Sequence, residues 1–408
     1  MKKTNKLDIL IFKFLKKNCF EILFFCISII VLLTRIIFIK FESDDYKIFL
    51  IDWFNKIKQL GGFLALGQEI GNYNIPYLFI MAMLTYLPID PLISIKTVSI
   101  IFDYLMAIVC MSIIYEVFKN NKNKDFYALL TYVIVLLLPT VILNSSAWAQ
   151  CDSIYTTFIL LSLLYMLKEK YFRGFIFFAI AFSFKLQAIF ILPVYIIMYL
   201  SNKKYSILYF LIIPVVNVII CLPAIIMGRT IGSCLSIYTN QAQNYAEYIS
   251  MNSPNIYAVF IKPNGGSNLI GNVDKAFSSY GILLTLSIFI IFAIIVLYKD
   301  IKFDKKMYIN LSLLSVMICT FFLPRMHDRY LYMADVITIL FYIINRKKIY
   351  IPIAISFISL YTYIEYLYST KSIPIQYVAI LYFIVLLVYT KEVYIQIINN
   401  KKINNVKE

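Results

Sequence analysis

Charge is scarce in this chain. Asp, Glu, Lys and Arg make up 15% of its 408 residues and apolar residues 61%, against roughly 25% and 45–50% in soluble domains. That length would suit two or three soluble domains, and this composition excludes them. Glycine (11) and proline (12) are also few. No internal repeat, low-complexity segment or linker divides the sequence. The seven cysteines are scattered, mostly inside apolar runs such as those holding Cys26, Cys110 and Cys319. With no CxxC or metal-ligand spacing they read as small buried apolar residues, and no metal centre or cofactor is expected. No Gly-rich nucleotide loop is present, which excludes a soluble Rossmann unit. One histidine, His327, occurs in the whole chain.

What the chain does have is long apolar runs, near 20–40, 92–118, 126–143, 153–167, 174–184, 187–201, 205–227, 279–298, 307–323, 331–345, 349–368 and 374–396. They predict an all-α polytopic membrane protein of about twelve transmembrane helices, one integral-membrane domain over 1–408. The 75–88 run, bounded by Pro76 and Pro88, falls short of the roughly 20 residues of a span and reads as half-inserted or interfacial. The 174–184 and 187–201 runs flank Lys185-Leu186-Gln187 and read as a broken hairpin. The run Phe20–Ile39 follows a lysine-rich start, is too long for a signal-peptide core and lacks a small-residue cleavage site. It reads as an uncleaved first span.

The formal charge of +16 has its explanation in topology, not in nucleic acid. With a cytoplasmic N-terminus and one crossing per run, 25 of the 38 Lys and Arg fall in cytoplasmic segments, as the positive-inside rule requires. Both termini are then cytoplasmic. The unusual polar material collects on the other face of the cell membrane: a first loop (41–91) with Asp44 and Asp45, the stretch Ala147 to Ser153, Lys185 with Gln187, a long loop (228–278), and Arg325 to Tyr330. Five such features on one face predict a single extracytoplasmic site.

Each feature has a structural and a functional reading. Asp44 and Asp45 precede an amphipathic segment, Tyr46 to Leu60, ended by Gly61-Gly62. One of them caps a helix, or accepts a proton from an attacking hydroxyl, worth about 10²–10⁴ in rate. Trp148 reads as an interfacial belt residue and Asp152 as a cap, or Trp148, Gln150 and Asp152 line a sugar pocket. Lys185 snorkels, or meets a lipid phosphate, with Gln187 at the same break. Arg325, His327 and Arg329 form a salt-bridge cluster with Asp328, or clamp a phosphate, for which the arginine fork is suited. Charges inside a bilayer cost about 2.5–3.5 kcal/mol each on insertion scales, so this cluster belongs at a membrane face or in a wet cavity. A carboxylate base, a polar pocket and a basic clamp point to sugar transfer from a lipid phosphate to a hydroxyl, the phosphate leaving.

The pattern Asp45-Tyr46…Trp53-Phe54…Gly61-Gly62-Phe63…Gly71-Asn72-Tyr73-Asn74…Pro76-Tyr77 resembles the first-loop signature of bacterial proteins similar to GPI mannosyltransferase II, of the GT-C superfamily of integral-membrane glycosyltransferases. Trp148-Ala149-Gln150-Cys151-Asp152-Ser153 resembles their WGQxDS motif, Phe184-Lys185-Leu186-Gln187…Pro193 their FKxQ…P segment, and Pro324 to Tyr330 their PRMHERY. The four lie in order from about residue 40 to 335. The resemblance implies inverting transfer from a polyprenyl-phosphate hexose, mannose favoured and glucose the alternative, to a hydroxyl of a glycan, glycolipid or protein. It implies Asp45 as catalytic base with Asp44 the lesser candidate, and it adds Tyr73 and Asn74 to the sugar- or acceptor-binding set of Trp148, Gln150, Asp152 and Gln187. Lys185, Arg325, His327 and Arg329 would hold the lipid phosphate. Two positions depart from the motifs: Ala149 stands for Gly and Asp328 for Glu. In the long loop, Tyr238, Gln241, Gln243, Asn244 and Tyr245 are candidates to cover the acceptor. The alternatives are a polysaccharide polymerase and a lipid-linked sugar flippase or transporter; few ionisable residues in the inner-leaflet halves weigh against transport.

Overall fold

The computed structural model of the protein describes residues 5–405 apart from 245, 262, 264–268, 272–274, 347 and 371–372. Tyr245 therefore lies outside the described residues. Hydrocarbon offers no partner to a backbone N–H or C=O, so a chain this apolar must satisfy them within helices. All twelve apolar runs are helical. Among the described residues, seven helices are long and apolar enough to cross a membrane: Cys19–Ile36, Pro91–Val117, Ile207–Ile226, Ala276–Tyr298, Lys305–Phe322, Tyr350–Tyr368 and Ile375–Ile398. An eighth crossing results if Lys124–Leu137 and Pro139–Ala147, bent by 54°, form one span. The length and composition are those of an all-α membrane protein, with seven or eight span-length helices where about twelve were expected. The difference lies in Asp152–Leu167, Tyr171–Phe184, Leu186–Asn202 and Tyr332–Asn345, which have at most 17 residues.

Three interruptions give the fold its polar end. Pro139 cannot donate to the preceding turn, and beyond it Leu143–Ala147 widens into a π-helical turn that ends at Trp148. Lys185 is fully extended (φ −147°, ψ 139°) between the Tyr171–Phe184 helix and the 3₁₀ segment Leu186–Ile191, so the expected hairpin break is present. Gly61, at φ +85°, stops the Ile51–Gln59 helix, where only glycine adopts that conformation without strain.

The first loop folds on itself. The turn Tyr46–Leu50 and the helix Ile51–Gln59 bury Tyr46, Leu50, Trp53, Phe54 and Ile57 against Ile75, Leu78 and Met81. The last three belong to the ten-residue helix Ile75–Leu84, too short to cross. Within the long loop, the strands Tyr248–Met251 (β1) and Leu269–Gly271 (β2) pair antiparallel. Met326–His327 (β3) joins β1 in parallel, with Ser250 opposite Met326 and Met251 opposite His327. This three-stranded sheet, β2-β1-β3, departs from an expectation of helices alone. It also fixes the arginine–histidine stretch, since Arg325 N–H donates to Ile249 O at 2.7 Å.

Candidate functional site

Asp45 is the hub. Its Oδ2 accepts from Trp148 Nε1 at 2.8 Å and from Gln150 Nε2 at 2.6 Å, with Arg329 Nη1 at 3.5 Å. Its Oδ1 accepts from the Tyr366 hydroxyl at 2.6 Å. The helix-capping work falls to Ser43, whose hydroxyl accepts from Tyr46 N–H at 3.3 Å and donates to Trp148 O at 2.8 Å. Asp45 makes no side-chain cap bond. Just ahead, the Lys96 ammonium donates to the carbonyls of Phe38, Ile39 and Phe41 at 2.5–3.2 Å. It satisfies backbone groups left over at the end of the first span and ties that segment to the Pro91–Val117 helix. Burial raises the Asp45 carboxyl, but the Arg329 guanidinium, the Tyr366 and Trp148 hydrogen bonds and His327 outweigh it and hold the group below the usual carboxylate range. Asp44, next in the chain, is exposed, and no hydrogen bond or ion pair joins it to the cluster among the described residues.

Trp148 is fully buried and is not an interfacial belt residue. Tyr366 stacks on its ring at 4.3 Å and 13°, Tyr363 meets it edge-on at 4.9 Å, and the Arg329 guanidinium lies 5.5 Å from the ring centroid. No face is left for a sugar to stack on; the indole serves Asp45 instead. Gln150 is likewise a link, its Oε1 accepting from the Tyr73 hydroxyl at 2.8 Å. Ala149 between them takes φ +62°, and the two flanking side chains both reach Asp45.

Asp152 is no cap either. It pairs with Lys185 (Nζ to Oδ1, 2.6 Å), and both side chains are at least nine-tenths buried. Its Oδ2 accepts from Asn144 Nδ2 at 2.8 Å and lies 3.7 Å from Arg329 Nε. Asn144 Nδ2 also donates to Tyr363 Oη at 3.0 Å. Arg329 thus bridges the two aspartates, and burial works against its charge while Tyr73, Asp45, Asp152 and Asp328 outweigh that and raise it well above its ordinary value. Lys185 does not snorkel.

A cavity of about 370 Å³ opens beside this cluster. Lys185 and Arg329, which pair with the aspartates, line it together with Tyr73, Gln187, Arg325 and His327 and with the apolar Phe184, Phe190, Ile282 and Leu323; Asp45 and Asp152 are not themselves lining residues. Tyr238 and Gln241 of the long loop also line it, Gln241 donating to Asn72 O. Asp328 pairs with His327 (Nδ1 to Oδ1, 2.9 Å) and not with the arginines within ion-pair distance. Arg325 has no carboxylate partner among the described residues, and its buried Nε has no hydrogen-bond acceptor. Asn74 caps the Ile75–Leu84 helix at 3.2 Å from Ile75 N and does not line the cavity, though it neighbours the lining residue Tyr238. No group of three or more His, Cys, Asp or Glu able to hold a metal occurs among the described residues.

Of the expected residues, the structure joins Asp45, Tyr73, Trp148, Gln150, Asp152, Lys185, Gln187, Arg325, His327 and Arg329 in one cluster and leaves Asp44 and Asn74 outside it. It adds Tyr366, Tyr363 and Asn144. No protein-family model matches the chain, and no curated protein matches it.

Proposed function

We propose that this protein is an inverting glycosyltransferase that moves a hexose, mannose favoured and glucose the alternative, from a polyprenyl-phosphate carrier to a hydroxyl of a glycan, glycolipid or protein. One observation carries the reading: Asp45, gripped by four donors, pairs with Arg329, and Arg329 lines a cavity together with other cationic and with apolar side chains. Asp45 takes the acceptor proton as the acceptor oxygen bonds to the anomeric carbon. The carbon–oxygen bond to phosphate breaks and its electron pair leaves with the phosphate. Arg325, unpaired among the described residues and facing the cavity, receives that developing charge, with Lys185, His327 and Arg329 around it. A carboxylate of depressed pKa is a weak base, so it acts late, when bonding to an electron-poor sugar carbon has made the hydroxyl proton acidic. In this reading the short apolar helices complete twelve crossings, both termini are cytoplasmic and the site faces outward.

The test uses protein in nanodiscs with polyprenyl-phosphate mannose or glucose and a pool of short glycan acceptors. Transfer of one sugar with inverted configuration, lost in Asp45→Asn while donor binding persists, supports the reading. A product of retained configuration overturns the mechanism, and equal turnover by Asp45→Asn moves the base elsewhere.

A further inference from the structure

The two oxygens of Asp45 are occupied unequally. Oδ2 faces three donors, Trp148 Nε1, Gln150 Nε2 and Arg329 Nη1. Oδ1 accepts a single bond among the described residues, from the Tyr366 hydroxyl at 2.6 Å. Each carboxylate oxygen offers about two lone-pair sites, so Oδ2 is filled and Oδ1 keeps one site open. The Tyr366 ring lies flat on Trp148, the donor to Oδ2. One stacked unit therefore fixes both oxygens at once. The same helix, Tyr350–Tyr368, contributes Thr362, which donates to Asp328 O at 2.8 Å, so it braces the basic stretch as well.

We infer that Tyr366 is a positioning residue of the Asp45 centre, turning the open lone pair of Oδ1 toward the hydroxyl that attacks. This rests on the glycosyl-transfer reading and adds to it the atom that receives the proton: Oδ1, beside the tyrosine. The groups facing Asp45 are Arg329 and His327 from the basic stretch, Trp148 and Gln150 from the turn just past the bent span, and Tyr366 itself, with Asp152 beyond Arg329 and Glu365 next to Tyr366 in the chain.

Tyr366→Phe keeps the stack on Trp148 and removes only the donor. Expected are a fall in kcat of about 10- to 100-fold, the worth of a hydrogen bond to a charged group, an unchanged KM for the donor lipid, and an acid limb of kcat/KM moved upward by about one pH unit, since loss of a donor to a carboxylate raises its pKa. Tyr368→Phe, at an exposed tyrosine of the same helix, should change none of these. The carboxyl infrared titration of Asp45, assigned by its loss in Asp45→Asn, reads the same shift without turnover. An Asp45 titration unmoved by Tyr366→Phe overturns the inference whether or not transfer is seen. Wild-type kcat and pH profile in Tyr366→Phe also overturn it, leaving the tyrosine a packing role. A shifted titration in a protein that transfers no sugar overturns the glycosyl-transfer reading while supporting the hydrogen bond that places Asp45.

Discussion

Arg35–Asp103 and Arg329–Asp45 are both arginine–aspartate pairs, and their surroundings differ. Arg35 Nε meets Asp103 Oδ2 at 3.0 Å, both side chains wholly buried. The other guanidinium nitrogens donate to Val31 O and Leu136 O, and Ser145 donates to the same carboxylate oxygen. The pair ties the Cys19–Ile36 helix, the Pro91–Val117 helix and the bent span together and leaves its arginine nothing further to bind. Arg329 reaches Asp45 only at 3.5 Å, 14% and 17% of the two side chains stay exposed, and its Nε has no hydrogen-bond acceptor. Burial of a charge does not distinguish a brace from a site. The neighbouring groups do: Arg329 lines a cavity together with Lys185, Arg325 and His327, whereas Arg35 is the one charged residue lining the cavity beside it among the described residues.

The largest expected effect tests the site. Asp45→Asn keeps the size and one acceptor oxygen but loses the base, so transfer should fall by about 10²–10⁴, alongside the modest loss of stability that follows from removing the charge facing Arg329. The brace should behave in the opposite way. Asp103→Leu strands a buried guanidinium and should cost about 3–5 kcal/mol, whereas Arg35→Met combined with Asp103→Leu should recover most of that, because well-packed apolar residues often replace a buried ion pair without loss. Unfolding in detergent measures both. If the double variant unfolds as readily as the single one, or if the single one is stable but inactive, the contrast between the two pairs fails.

A pH series separates them more gently. The folded Asp45 carboxyl titrates below its ordinary value. Its contribution to stability is therefore complete above the unfolded carboxylate range and is lost as pH falls through the depressed folded value. Transfer should follow the same sign: no loss from Asp45 protonation between about pH 7 and pH 5, and a decline only below the usual carboxylate range. An acid limb near pH 6 would mean that another group, not Asp45 as placed here, limits the reaction.

Much of the cluster was legible because its motifs are local. Trp148, Gln150 and Asp152 lie within five residues, and Arg325, His327 and Arg329 within five more. Two misreadings have a common cause, since a short window shows a residue's type and not its partner. Trp148 looked interfacial because its stacking partner Tyr366 lies 218 positions later (148 to 366). Lys185 reads as snorkelling from its neighbours alone because its partner Asp152 is 33 positions earlier. Tyr366 itself is one of 34 tyrosines, most of them in apolar helices, and its bond to Asp45 spans 321 positions. The number of crossings is less legible for a different reason: an apolar run of 14–17 residues is helical by composition, but at 1.5 Å per residue it reaches only about 21–26 Å of the roughly 30 Å hydrocarbon core, so length alone does not count it as a span.

The smallest expected effect concerns Ala149. Its left-handed backbone (φ +62°) costs an L-residue about 1–2 kcal/mol, which Ala149→Gly would relieve. Two terms oppose the gain: about 0.4–1 kcal/mol from the greater freedom of glycine in the unfolded chain, and about 0.8 kcal/mol for the buried methyl, since Ala149 is fully buried. The sum lies within about 0.8 kcal/mol of zero, so alanine is tolerated here about as well as glycine. Ala149→Val should instead cost more than about 2 kcal/mol, because a β-branched residue is a true outlier at positive φ and two methyls would be added at a fully buried position. Thermal unfolding of both variants measures the difference, and a well-tolerated valine would mean that the turn aiming Trp148 and Gln150 at Asp45 does not need its left-handed residue.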